Sequence, residues 1–188
     1  MALKKDYAAQ DCSLARTLEL VGERWTMLVI RDAFYGVRRY SDFLAHLDIP
    51  RAVLSTRLRT LTESGVMERR RYEQSPPRDE YVLTEKGRRL WSALFALLMW
   101  GQEFTTGGAT VRRRYVHAAC GHELEVGGGC RDCGQPAVPP EDIEVHPGPA
   151  AEGPTARHDP VSRALSRPHR LLEPLETQGP SSNGPCPK

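Results

Sequence analysis

The sequence predicts a mainly α-helical fold carrying one small two-stranded sheet (α+β), and three observations within residues 37–84 predict it. Two short amphipathic segments are separated by Asp48-Ile49-Pro50, a break, because proline is accepted at a helix start but not in its interior. Leu54, Leu58 and Leu61 recur at i, i+4 and i+7 and form one inward stripe on the second segment. Residues 66–72 and 80–83 have strand-like composition, and residues 74–79 between them hold two prolines, as a hairpin loop does. Helix, break, helix and hairpin, in that order, read as a helix-turn-helix followed by a wing.

Each element has its own signal. Residues 1–10 read as a flexible polar lead-in. Residues 13–21 put Leu14, Leu18 and Val21 on one helical face, and Gly22 ends that helix. Residues 24–34 are apolar nearly all round, which argues for burial at the centre of the domain, with Trp25 as a core residue. Residues 36–39 then bring Arg38 and Arg39 to the entry of the helix-turn-helix. In its first helix Ser41 is the expected N-cap, with Asp42 in the first turn and Phe43, Leu44 and Leu47 turned inward.

The second helix, about residues 51–64, stops at Gly65. At about 100° per residue Ala52, Ser55, Thr56, Arg59 and Glu63 point away from its leucine stripe. A face that is small near its start and carries hydroxyls and a guanidinium suits the DNA major groove, although taken alone it also suits an ordinary surface helix. Charge shifts the balance. Residues 51–89 hold ten basic against six acidic side chains, +4 formally, whereas the whole chain is only +2. Positive charge is therefore concentrated where a helix-turn-helix meets phosphate.

Several classes are disfavoured. No Ser/His/Asp pattern, paired carboxylates in an apolar setting or phosphate-cradling glycine loop is evident, so an enzyme is not expected. No apolar run approaches the roughly 18 residues of a membrane span, and residues 1–6 lack the apolar segment of a secretory signal, so a cytoplasmic location is expected. The five cysteines, Cys12, Cys120, Cys130, Cys133 and Cys186, fit metal or free-thiol chemistry better than a disulfide scaffold.

Residues 85–104 predict one long helix. Leu90, Leu94 and Leu97 make one stripe and Trp91, Phe95, Leu98 and Met99 an adjacent one, wider than a single core contact requires. A second copy of the chain is the natural cover. Residues 112–146 read as a different unit, in which Cys130-x-x-Cys133-Gly134 places two thiols on one loop and Cys120 with His122 supplies two further ligands for a structural zinc. His117 is an alternative to His122, and free thiols or a Cys130/Cys133 redox pair are alternatives to the metal. Residues 147–188 hold nine prolines and four glycines and no aromatic residue, so this tail is expected to be disordered, with residues 161–175 as a possible partner-binding patch.

The chain resembles the HxlR-type winged helix-turn-helix regulators, relatives of the MarR class. The resemblance rests on Cys12, on residues 18–25 (LELVGERW) and 36–43 (GVRRYSDF), and on residues 53–61 (VLSTRLRTL) and 76–84 (PPRDEYVLT), and it covers a domain of residues 11–106. It implies a homodimer joined through terminal helices and a regulator, most often a repressor, of double-stranded DNA. Arg38, Arg39, Arg69, Arg70, Arg71 and Arg78 would then hold phosphates, while Arg51, Ala52, Ser55, Thr56 and Arg59 would face base edges. It also makes Cys12, just before the first helix, a possible redox sensor. The rival readings are a thiol-redox protein and a zinc-dependent interaction module on a winged-helix scaffold.

Overall fold

The computed structural model describes residues 7, 9–105, 111–151 and 157–177. Most of the predicted lead-in and residues 178–188 of the predicted tail, Cys186 included, lie outside the described residues. The first four helices are α1 (Ser13–Val21), α2 (Thr26–Phe34), α3 (Tyr40–Leu47) and α4 (Arg51–Glu63). Helix α2 is central, as its apolar surface predicts: Val29, Ile30 and Phe34 are fully buried against Phe43 of α3 and the Leu54, Leu58 and Leu61 stripe of α4. The N-cap of α3 is Arg39 rather than Ser41, which lies exposed in the first turn.

The wing is longer than its apolar residues suggest. Strands β1 (Met67–Gln74) and β2 (Pro77–Leu83) pair antiparallel, from Met67 opposite Leu83 to Gln74 opposite Pro77, with a register shift at Tyr72. Only Ser75 and Pro76 connect them, because residues 77–79, read as loop, are already in the ladder. The segment before α3 adds to the sheet edge: Tyr81 N–H donates to the carbonyl of Arg38 at 2.8 Å, and Arg39 bridges Glu80.

The long helix is broken. A single turn, α5 (Glu85–Arg88), capped by Thr84, is followed by α6 (Trp91–Phe104). Then comes a three-stranded antiparallel sheet of β3 (Arg113–His117), β4 (Ile143–Pro147) and β5 (His169–Arg170), in that spatial order. Residues 112–146 are therefore not a separate unit. Tyr115 of β3 stands edge-on to Phe95 and Trp91 of α6 at 5.3 and 5.8 Å, and its hydroxyl meets that of Tyr35 at 2.7 Å. One apolar core runs without interruption from α2 through α6 into the sheet.

The expectation of a disordered tail is corrected for residues 157–177. Pro160 starts a short helix, α7 (Pro160–Ala164), whose N-cap Asp159 accepts from the Ser162 N–H at 3.0 Å. Val161, Leu165 and Leu171 are buried, so the patch expected to meet a partner is spent on its own chain. Beyond β5 the segment laces onto the loop between α2 and α3. Leu172 N–H donates to Phe34 at 2.8 Å, Leu175 N–H to Gly36 at 3.0 Å, and the Thr177 hydroxyl to Asp42 at 2.7 Å. Gly36 has φ +85, and a Cβ there would meet the carbonyl oxygen of Glu173 at 1.8 Å, so the strap fits only over glycine. Average composition hid this because a few well-spaced apolar residues suffice once an existing core receives them.

Candidate nucleic-acid interface and metal cluster

Helix α4 is held by its leucines, which leaves its other side bare. Arg51, Ala52, Ser55 and Arg59 are exposed. Thr56 is half-buried and its hydroxyl returns to the carbonyl of Ala52 at 2.9 Å. Sequence reasoning missed Tyr40. Its hydroxyl donates to the carbonyl of Arg51 at 3.0 Å and meets Ser55 Oγ at 3.1 Å, so it pins the first turn of α4 from the start of α3. A tyrosine directly before Ser41-Asp42 was the available signal.

The basic residues divide into two groups. Arg69, Arg70, Arg71 and Arg78 are exposed on the wing, and each leans on a wing carboxylate: Arg69 and Arg71 on Asp79, Arg70 on Glu68, and Arg78 on Glu73. The hydrogen bond from Arg69 is the main reason the Asp79 carboxyl is held below its ordinary range. Such exposed pairs are worth little, so these arginines can exchange a carboxylate for a phosphate at small cost. Arg39 lies over the ring of Tyr72 at 5.2 Å, beside the wing. Arg38 is engaged elsewhere: one nitrogen is 3.8 Å from Glu80 and another donates to the carbonyl of Leu172 at 3.0 Å. It ties wing and strap together.

The cysteine cluster forms, with one change of membership. His117, Cys120, Cys130 and Cys133 each bring a donor atom within 4.8 Å of the others. His122 does not take the place expected of it. It lies beyond the turn at Gly121, exposed, and pairs with Asp132 at 3.2 Å. The spacing that matters is His117-x-x-Cys120-Gly121 beside Cys130-x-x-Cys133-Gly134, two like loops each followed by a glycine at positive φ, 76° and 67°. In the first loop Cys120 and Gly121 both donate to the carbonyl of His117; in the second Cys130 and Gln135 exchange backbone hydrogen bonds.

The donor set fits zinc. Tetrahedral Zn–S and Zn–N bonds of about 2.3 and 2.1 Å put neighbouring donors roughly 3.5–3.8 Å apart. Cys120 Sγ lies 3.5 Å from His117 Nδ1 and 3.5 Å from Cys130 Sγ. The thiols also share charge unevenly. The Cys133 backbone N–H is the chief cause that draws Cys130 down to about 6, against burial and with help from His117 and Cys120. Hydrogen bonding with Cys120, then burial, pushes Cys133 up to about 12. A thiolate at neutral pH packed among further soft donors is the chemistry a divalent cation completes.

Cys12 is the N-cap of α1 and is exposed. The backbone amides of Ala15 and Leu14 lower its pKa.

A bare helix behind a proline break, flanked by an arginine-bearing hairpin, defines a winged-helix DNA-binding protein. Its relatives identify which kind. The model of the HxlR-like helix-turn-helix family matches residues 20–108. The HTH-type transcriptional regulator Mb3122 of Mycobacterium bovis, itself uncharacterized, is 42% identical over 137 residues, 73% of this chain and 86% of its own. Regulators of Mycobacterium tuberculosis match equally, and YdeP of Bacillus subtilis is 32% identical over 103 residues, 53% of this chain and 80% of its own. Among solved structures, PA1607, described as a candidate transcription factor, superimposes with a TM-score of 0.58 at 34% identity, over 68% of this chain and 89% of its own. The chain belongs to the HxlR-like helix-turn-helix family and is a DNA-binding transcriptional regulator. A 137-residue match is too long to end at residue 108, so the mycobacterial likeness continues into the C-terminal part.

Proposed function

We propose that the chain is a homodimeric repressor that reads two half-sites on double-stranded DNA. The bare outer face of α4 carries this reading: Arg51, Ala52, Ser55 and Arg59 reach base edges with Thr56 at their flank, while Arg39, Arg69, Arg70, Arg71 and Arg78 hold phosphates. Arg38 acts at one remove, by fixing the wing. A second copy is favoured by the apolar ridge of Leu97, Trp100 and Phe104 on α6, 58, 57 and 62% exposed, with Leu14 of α1 64% exposed. Symmetry about this ridge sets two α4 helices about one DNA turn apart. The site of action is then the cytoplasm; among the described residues no helix is long and apolar enough to cross a membrane.

Gel shifts with the DNA upstream of the chain's own gene, beside light scattering, test this. Wild type is expected to be a dimer whose affinity falls with salt at a log-log slope of about −0.9 per neutralised phosphate. Leu97→Glu with Trp100→Glu should give a monomer that no longer shifts the full site. A wild-type monomer that binds as tightly sinks the dimeric reading.

Two chemical features complete the proposal. Structural zinc is held by His117, Cys120, Cys130 and Cys133, a closed set with no position left for a reacting water. Cys12 serves as a thiol sensor, favoured by its exposure and lowered pKa. Diamide should then change the operator affinity of wild type and leave Cys12→Ser unaffected; an equal response in both removes Cys12 from the reading.

A further inference from the structure

Where the C-terminal sheet meets the helix-turn-helix, a cleft of about 490 Å³ remains open. Its size falls within the roughly 300–1,000 Å³ of small-molecule sites. One wall is apolar and comes from α2 and the residues that flank it: Trp25, Leu28 and Tyr35. Trp25, expected in the core, is instead half-buried here. The opposite wall brings Arg112 and Arg113, just before and at the start of β3, with Ser162 of α7 and Ser166 after it, whose hydroxyls donate to Asp159 at 2.6 Å and to the Arg163 carbonyl at 2.7 Å.

The cations decide what such a cleft accepts. Arg31 is already compensated, holding Asp32 at 2.7 and 2.9 Å, and its guanidinium lies over Tyr35 at 5.8 Å. Arg113 is not. Its Nη1 donates to the main-chain carbonyl of Leu165 at 2.5 Å, a neutral acceptor, and among the described residues no carboxylate pairs with it. Burial, then the like charges of Arg31 and Arg112, work against its protonated form. A half-buried guanidinium with no counter-ion among the described residues, facing an aromatic wall across an open cleft, is relieved by an anion with an apolar body.

We propose that this cleft binds an amphipathic organic anion, an aromatic or branched apolar carboxylate. The carboxylate lies on Arg113, and the apolar part lies against Trp25, Leu28 and Tyr35. The cleft is the effector site of the regulator, and that role rests on the DNA-binding reading above. The link to DNA is short, because Leu47 at the end of α3 lines the same cleft four residues before α4 begins.

The test uses the full chain without DNA, titrated calorimetrically with 1-naphthylacetate, its uncharged amide, branched 4-methylpentanoate and plain acetate. The two apolar acids are expected to bind with dissociation constants at or below roughly 1 mM, and the amide and acetate much more weakly. Arg113→Gln should weaken the acids on the order of ten- to a hundred-fold. Should that variant not fold, Ser166→Trp at the exposed rim should block them. The site is overturned if neither acid binds up to about 10 mM, if the amide binds as well as its acid, or if Ser166→Trp has no effect. Gel shifts with and without acid then address the role: binding with unchanged operator affinity overturns the effector assignment. A failure of the unliganded chain to bind its operator would count against the DNA-binding reading instead.

Discussion

The helix-turn-helix and the C-terminal sheet close the same core by opposite means. In α3 and α4 the buried side chains recur with the helical period, and each helix is stabilised by hydrogen bonds among near neighbours. In the sheet, three short strands and two glycine-ended loops are gathered from residues far apart, with Tyr115 reaching Tyr35 and Arg113 reaching Leu165. One half is organised by periodicity, the other by a few long-range contacts around aromatic rings and a cluster of thiols. The second half borrows the core of the first rather than building its own.

That dependence can be broken at its centre. Tyr115→Ala removes a buried ring lying against Trp91 and Phe95, and should cost about 3–5 kcal/mol of global stability in a denaturant titration. If only the C-terminal half melts early while the helical half keeps its full stability, the two regions are independent and the shared core is wrong.

The metal cluster tests the same comparison with a smaller expected effect on the helices. Protein purified under reducing conditions without chelator should carry about one zinc per chain. Chelation, or Cys133→Ser, should lower the melting temperature and loosen the sheet first. His117→Ala should behave like Cys133→Ser, whereas His122→Ala should leave the zinc in place, since His122 is turned toward Asp132. Equal zinc loss in both histidine variants would reverse the assignment.

On the helical side, Arg59→Ala should cost about 1–3 kcal/mol and relax the preference at one base position, while Arg70→Ala should weaken all sequences alike and reduce the salt slope by about one. Quantitative gel shifts on a panel of operator variants separate the two; identical patterns would mean that α4 does not read bases.

The smallest effect sits at the seam. The carboxyl of Asp159 accepts from Ser162 and pairs with His46 at 3.0 Å. Burial alone would raise its pKa, but the hydrogen bonds from Ser162 and then His46 outweigh burial and hold it below the ordinary carboxylate range. A folded-state pKa below the unfolded one contributes stability that is present above the ordinary value and is lost as pH falls through the lowered one. Asp159→Ala should therefore cost about 1 kcal/mol at neutral pH and nothing under strongly acid conditions, by thermal melts across pH. A constant deficit at all pH values would show that the cap is not electrostatic.

These contrasts also explain what was legible in the sequence. Leu54, Leu58, Leu61 and the proline break declared α3 and α4 because a helix is specified within a few residues, and the family resemblance carried the remainder of the winged domain. The sequence points to His122 as the fourth donor because Cys120-x-His122 is a compact pair, whereas His117-x-x-Cys120-Gly121 is recognised only beside its twin at Cys130. The strap is hidden from the sequence because Leu172, Leu175 and Thr177 have meaning only against Phe34, Gly36 and Asp42, which lie more than a hundred residues away. The sequence places Trp25 in the core because an apolar helix does not reveal which of its faces the rest of the chain leaves open.

The strap also sets a schedule. The hydrogen bond from Thr177 to Asp42 spans 135 residues, and the pairing of Leu172 with Phe34 is of similar reach. Contacts of such separation form late and slow the overall folding rate. As the chain leaves the ribosome, the helix-turn-helix is assembled while the segment that will lock it is still being synthesised. For that interval the loop around Gly36 is uncovered and Arg38 lacks its acceptor on Leu172. Locking of the helix-turn-helix thus waits on residues 172–177, which follow it by more than a hundred positions.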